Sequence, residues 1–193
     1  MDVGDVLVHT VPMAHYRALA RYTGTPWERV AEIIEGTHIV SSFETGHMTP
    51  ADFTDAVRAL LSRPALRDQD VRRAWNAVVS DVDPVMTRVA CRFAAPGRVL
   101  LASNTNPFHW QAVSARLAAA GVVAPACLSF EIGCAKPGRD FFAALAASYP
   151  QATRAVYIDD RADNVTAAVR YGLTGLLHRD PADTAGRLSD LLT

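Results

Sequence analysis

Apolar residues recur at two different periods along this chain, and the change between them divides it. From Pro12 to about Ser80 the spacing is helical. Met13 to Tyr22 forms one amphipathic segment, closed by Gly24. Thr25-Pro26-Trp27-Glu28 reads as a helix start, with Thr as N-cap, Pro at the first helical position and Glu at the third. That helix runs to about Glu35 and stops at Gly36. Thr49-Pro50-Ala51-Asp52 opens another, with Phe53, Val57, Leu60 and Leu61 on one face. A further helix is expected over Ala65 to Val79, with Val71, Trp75, Val78 and Val79 inward. Phe43-Glu44-Thr45-Gly46-His47 reads as a loop, and no strand signal of comparable strength interrupts this stretch.

After Pro84, short β-prone runs alternate with helical segments. Val85 to Phe93 is helical, Pro96-Gly97 is a turn, and Val99-Leu100-Leu101-Ala102 is a short buried strand. Pro107 to Ala120 is a helix closed by Gly121, and Cys127 to Phe130 a weak strand. Pro137 to Ser148 is a helix with Phe141, Phe142 and Leu145 as its apolar stripe. Ala155 to Ile158 is a buried strand that ends in Asp159-Asp160; a helix over Val165 to Tyr171 follows, stopped by Gly172. Leu173 to Leu177 is a strand, and Asp183 to Leu192 a final helix. The alternation predicts an α/β fold, a Rossmann-like parallel sheet covered by helices on both faces, with a small helical subdomain inserted. Asp2 to His9 reads as the end of a strand and a turn, but only Met1 precedes Asp2, so the body of that strand is missing.

Half of the 193 residues are hydrophobic, enough for a sizeable core. The net charge of −1 points to neither a nucleic-acid nor an acidic-membrane partner. No run of 18 apolar residues and no charged-then-apolar leader occurs, so a cytoplasmic protein is expected. Cys91, Cys127 and Cys134 lack metal-ligand spacing and read as reduced thiols. Of 19 basic residues, Lys136 is the single lysine, which suggests a place where a compact point charge is needed.

Four strand ends then present polar groups in chain order: Asp2, Ser103-Asn104, Lys136 after a loop, and Asp159-Asp160. In open α/β sheets ligands bind at that edge. Asp159 and Asp160 crowd there, and a hard divalent cation such as Mg²⁺ is a natural compensation; acids at a solvated helix N-terminus are the alternative reading. Taken as one site, the set suits phosphoryl transfer. A carboxylate attacks phosphorus, Ser103 and the Asn104 backbone hold phosphoryl oxygens, and Lys136 neutralises charge.

The ordered set resembles the haloacid dehalogenase-like (HAD) hydrolase superfamily over nearly the whole chain. Asp2-Val3-Gly4-Asp5-Val6-Leu7 resembles the first family motif and Leu101-Ala102-Ser103-Asn104-Thr105-Asn106 the second. Cys134-Ala135-Lys136-Pro137 resembles the third, and Tyr157-Ile158-Asp159-Asp160-Arg161-Ala162-Asp163-Asn164 the fourth. Residues 13-83 match the position of the family's helical cap, which leaves 1-12 and 84-193 as the core. The Ser-Asn-Thr-Asn and Asp-Asp-x-x-Asp-Asn runs are most similar to the sugar-phosphate phosphatase branch, including glucose-1-phosphatase-like proteins. The resemblance implies Mg²⁺, a small phosphorylated substrate and an aspartyl-phosphate mechanism. It makes Asp2 the nucleophile, with its carboxylate and the Gly4 carbonyl on the metal. Ser103, Asn104 and Lys136 bind phosphate, Asp160 ligates the metal directly, Asp159 sits beside it or acts through water, and Asp163 stands behind them. Phe43, Glu44 and His47 of the cap set the substrate.

Two departures alter this expectation. Many family phosphatases carry an acid where this chain has Gly4, and Asp5 reads as a turn residue, so turnover is expected to be slow. Loss of the first strand's body orphans roughly four to eight backbone groups at about 1–3 kcal/mol each. Either the strand continues upstream of Met1, or Val3 to Val8 shifts into its place and displaces Asp2. A catalytically degenerate binding protein and a 2-haloacid dehalogenase are the alternatives; the acidic pair argues against the latter, which needs no metal. The six histidines share no metal-site spacing, Trp27, Trp75 and Trp110 read as packing residues, and Arg72-Arg73 as a solvated helix face.

Overall fold

The computed structural model describes residues 1–93, 98–150 and 155–192. The turn expected at Pro96-Gly97 lies outside them. β1 (Val8–Thr10) leads into α1 (Ala14–Thr23), α2 (Trp27–Glu35), α3 (Ile39–Glu44), α4 (Pro50–Leu60) and α5 (Asp68–Trp75). β2 (Val79–Val82) leads back and pairs antiparallel with β1, Val8 opposite Val82 and Thr10 opposite Val79. The remainder alternates: α6 (Pro84–Phe93), β3 (Leu101–Ser103), α7 (Pro107–Ala119), β4 (Ala126–Leu128), α8 (Ser129–Ile132), α9 (Arg139–Ser148), β5 (Val156–Asp159), α10 (Ala162–Arg170), β6 (Thr174–Leu177) and α11 (Pro181–Leu192).

β3 pairs parallel with β4, and β5 parallel with β6. The two pairs are joined by the first two residues of the chain. The Met1 ammonium donates to Leu100 O at 2.8 Å and Ala102 N donates to Met1 O at 2.9 Å, while Asp2 N donates to Ile158 O at 2.8 Å. The order across the sheet is therefore β4, β3, Met1–Asp2, β5, β6. Of the two alternatives, the shift of Val3 to Val8 does not occur. Those residues close a tight loop, in which Val3 O accepts from Leu7 N and Val8 N, both at 2.9 Å. The bonds to the flanking strands come from Met1 and Asp2 themselves, to Leu100, Ala102 and Ile158, so Asp2 stays at the sheet.

Three element expectations need correction. Val79 belongs to β2, not to a helix; α5 ends at Trp75 and a 3₁₀ turn, Asn76–Val78, intervenes. The backbone pairing with β1 outweighs the apolar period there. Phe43 and Glu44 lie in α3 rather than a loop, because Phe43 is drawn into the apolar interior of the bundle. The strand expected over Cys127 to Phe130 stops at Leu128, and Ser129 opens α8.

Helices α1 to α5 pack around one apolar cluster that includes Leu19, Ile34, Phe43, Phe53 and Trp75. Phe108, from α7 of the sheet-bearing part, joins it edge-on to Phe43, ring centroids 5.1 Å apart. The sheet carries two further clusters, one around Leu7, Met86, Leu101 and Ile158, the other around Phe141, Phe142 and Tyr157. Among the described residues no helix is long and apolar enough to cross a membrane.

Candidate active site

The carboxyl ends of β3, Met1–Asp2 and β5 lie side by side, and Lys136 reaches them from the loop between α8 and α9. Its Nζ donates to Ala102 O and Asp159 Oδ2, both at 2.9 Å, and lies 2.8 Å from Asp2 Oδ1. Three N–H donors meet three acceptors with the side chain almost wholly buried. A compact ammonium fits this arrangement; a planar guanidinium fork does not. The loop is held by Asn104, whose amide donates to Lys136 O and accepts from Lys136 N, each at 2.8 Å. The Asn104 side chain is thus committed to placing Lys136, leaving its backbone for an anion. Ser103 Oγ lies 3.5 Å from the Asn104 carbonyl, a long contact for a hydroxyl.

Asp159 is wholly buried and saturated. Oδ1 accepts from Arg161 N and Asn164 Nδ2 at 2.9 Å; Oδ2 accepts from Tyr157 OH at 2.7 Å as well as from Lys136. Burial pushes this carboxyl up, but Lys136 and these hydrogen bonds outweigh it and hold the group below the ordinary carboxylate range. Tyr157 and Asn164 stand in the fourth motif without a role assigned from sequence; here both hydrogen-bond Asp159. The available signal was the strand period, which puts Tyr157 and Asp159 on one face of β5.

Asp2 Oδ1 accepts from Val3 N at 2.7 Å besides facing Lys136. Among the described residues Oδ2 takes no hydrogen bond. Burial pushes Asp2 up to about 6, with Lys136 opposing and Asp159 reinforcing the rise. Burial, then the charge of Asp159, also raises Asp160. One oxygen from each of Asp2, Asp159 and Asp160 lies within 4.8 Å of the others. Lys136 pairs with two of these three carboxylates, so the negative charge of the cluster exceeds its positive charge and suits a hard cation.

Asp163 is not part of this cluster: Arg161 NH2 holds it at 2.8 Å on the exposed first turn of α10. Asp5, with φ of 51°, accepts from Thr10 N and Thr10 Oγ1 at 2.8 and 2.7 Å, the turn role expected of it. A side chain at Gly4 would meet nothing nearer than Thr10 Cγ2 at 3.8 Å.

The bundle approaches α8 closely at Gly46. Its φ is 71°, and a Cβ there would collide with the Phe130 carbonyl of α8, so only glycine permits the approach. Of the three cap residues expected near substrate, Phe43 is instead fully buried against Phe53, centroids 4.2 Å apart, because its ring completes the bundle core. Glu44 is raised by burial, and His47 is exposed with Nδ1 2.8 Å from Thr45 Oγ1.

No protein-family model matches the chain. Solved structures do. The HAD family enzyme BT-2542 of Bacteroides thetaiotaomicron, in complex with magnesium and inorganic phosphate, superposes with a TM-score of 0.81 at 23% identity over 92% of this chain and 91% of its own. A predicted HAD-like hydrolase of Porphyromonas gingivalis superposes with a TM-score of 0.83 at 21% identity, over 99% and 95% of the two chains. The L-2-haloacid dehalogenase of Xanthobacter autotrophicus, with chloropropionic acid covalently bound, reaches 0.59 at 14% identity, over 100% and 82%. The chain has the HAD-like fold: a Rossmann-like α/β core with a helical cap.

Proposed function

We propose that the protein is a Mg²⁺-dependent HAD-like hydrolase that removes phosphate from a small phosphorylated metabolite, with sugar phosphates the first class to test. The observation that carries this reading is Lys136, which ties Asp2 to Asp159 while leaving Asp2 Oδ2 unengaged. The boundaries that go with it are a core of 1-12 and 84-193 and a cap of 13-83.

Asp2 Oδ2 attacks phosphorus, and the bond from phosphorus to the leaving oxygen breaks. Lys136 holds the other oxygen of Asp2 and offers positive charge to the incoming phosphoryl group. The Ser103 hydroxyl and Asn104 backbone orient that group. Water then attacks the phosphorus of the aspartyl-phosphate, which releases inorganic phosphate and restores the carboxylate. No acid stands at Gly4 to protonate the leaving oxygen, which favours substrates with a good leaving group, such as an anomeric phosphate. Asp2, Asp160 and the Gly4 carbonyl would hold Mg²⁺, and its chemistry is to neutralise charge on a non-bridging phosphoryl oxygen. Asp159 acts through Lys136, since its own lone pairs are taken. The BT-2542 complex with magnesium and inorganic phosphate supports the same assignment by likeness of fold.

Hydrolysis of p-nitrophenyl phosphate and a panel of sugar phosphates tests the proposal. Turnover that requires Mg²⁺, stops in EDTA and is lost in Asp2→Asn is the expected result. Dehalogenation of a 2-haloacid in EDTA would replace the proposal with the other chemistry of this fold.

A further inference from the structure

The second motif holds two residues to which its sequence assigns no role, Thr105 and Asn106. They complete the turn that carries Ser103 and Asn104, and each residue from 104 to 106 is held by a different part of the molecule. Asn104 is tied to Lys136. Thr105 is clamped by the buried Ser129 of α8, whose Oγ accepts from Thr105 N at 2.9 Å and donates to Thr105 O at 3.0 Å. Asn106, wholly buried, is tied to His109.

The directions of the bonds at His109 are forced. Asn106 Oδ1 accepts from His109 N at 3.1 Å, as the N-cap of α7. That turns Asn106 Nδ2, which can only donate, toward His109 Nδ1 at 3.0 Å. His109 Nε2 lies 3.1 Å from Trp75 O, which can only accept. The ring is therefore the neutral Nε2–H tautomer, accepting at one nitrogen and donating at the other. Trp75 is the last residue of α5, where carbonyls lack a partner within the helix. Its ring lies nearly parallel to that of His109, with centroids 6.1 Å apart. Of the three ties on the turn, two end in the sheet-bearing part and the third ends in the helical bundle. Phe108 also enters the bundle's cluster, but apolar contact sets no direction.

We infer that His109 is a positioning residue: through Asn106 it sets the orientation of the Ser103–Asn104 turn according to where the cap sits. The inference deepens the phosphatase reading and rests on its assignment of that turn to the phosphoryl group. Asp2 and Lys136 are held by other bonds. Loosening the relay therefore weakens phosphate binding without disabling the nucleophile, and a loss of that kind raises KM while kcat holds.

The test compares the Mg²⁺-loaded parent with His109→Leu, His109→Gln and His109→Asn. Leucine removes both ring bonds. The glutamine amide reaches as far as Nε2 and can donate to Trp75 O, whereas the asparagine amide reaches only as far as Nδ1 and serves Asn106 alone. The readouts are inorganic phosphate affinity by calorimetry, KM and kcat for p-nitrophenyl phosphate, and ¹⁵N NMR of the parent's His109 ring. The ring should show the Nε2–H tautomer. Phosphate Kd and KM should rise about tenfold in His109→Leu and His109→Asn with kcat within about threefold, and His109→Gln should stay within about threefold of the parent throughout. An Nδ1–H tautomer, a parent that does not bind phosphate, or an unchanged Kd in folded His109→Leu would each overturn the inference. So would recovery in His109→Asn equal to that in His109→Gln, which would confine the effect to local capping. If His109→Leu does not fold, the contrast between the glutamine and asparagine variants decides. A parent that binds phosphate without hydrolysing p-nitrophenyl phosphate would sink the proposed reaction, and the phosphate affinities would still decide the role of His109.

Discussion

Lys136 faces two buried carboxylates and a carbonyl with a single ammonium. Breaking a buried ion pair from one side costs about 3–5 kcal/mol, because the partner charges remain. Lys136→Met should lower the unfolding free energy in urea by about that amount and abolish turnover; a variant as stable as the parent would contradict the geometry. At Gly4 the expectation runs the other way. Space is open there, and general acid catalysis is worth roughly 10²–10⁴-fold. Gly4→Asp should keep its melting temperature and raise kcat tenfold or more on alkyl phosphates, with little gain on p-nitrophenyl phosphate. Equal effects on both would remove leaving-group protonation from the account. The sequence made Lys136 visible through its solitude among arginines. Asn104 was legible as a residue of the site but not in its manner, since only the folded loop shows its amide spent on Lys136. Tyr157 was quoted in the fourth motif without a role, because a tyrosine in an apolar run does not announce the hydrogen bond it makes to Asp159.

Elements were legible where one period dominates and blurred where tertiary contacts decide. α4 begins at Pro50 with a Thr49–Asp52 capping box, as its residues indicate. β2 was hidden because Val78 and Val79 continue a helical period that the pairing with β1 overrides. The shortened first strand was a real signal, but Met1–Asp2 suffices to join β3 to β5. The seam between cap and core yields two predictions. Phe108 sits in the bundle's cluster, so Phe108→Ala should cost about 3–5 kcal/mol in denaturant unfolding; a loss below 1 kcal/mol would mean the cap is held elsewhere. Nearby, burial pushes both His15 and His109 down to about 4, helped in His15 by His109 and opposed in His109 by the Trp75 carbonyl. The unfolded chain binds these protons near pH 6.5 and the folded chain only near 4, so their stabilisation is complete above that window and falls as pH drops through it. The melting temperature should fall between pH 7 and pH 4.5, and fall less in His15→Phe. An identical drop in the variant would count against it.

For the whole molecule, the alternation of strands and helices foretold the α/β core, and the helical stretch foretold the cap. Strand order was out of reach of periodicity, because it rests on hydrogen bonds between residues about a hundred positions apart, such as Met1 with Leu100. The motif order brought Asp2, Lys136, Asp159 and Asp160 to one edge. Everything proposed for that edge turns on Asp2 as a nucleophile. The direct measurement is an acid quench of the Mg²⁺-loaded protein during single turnover of p-nitrophenyl phosphate, followed by mass analysis of the amino-terminal peptide. A phosphoryl group on Asp2 that forms and decays at the rate of turnover is the predicted result. Turnover that persists in Asp2→Asn, or a phosphoryl group carried elsewhere, would contradict it.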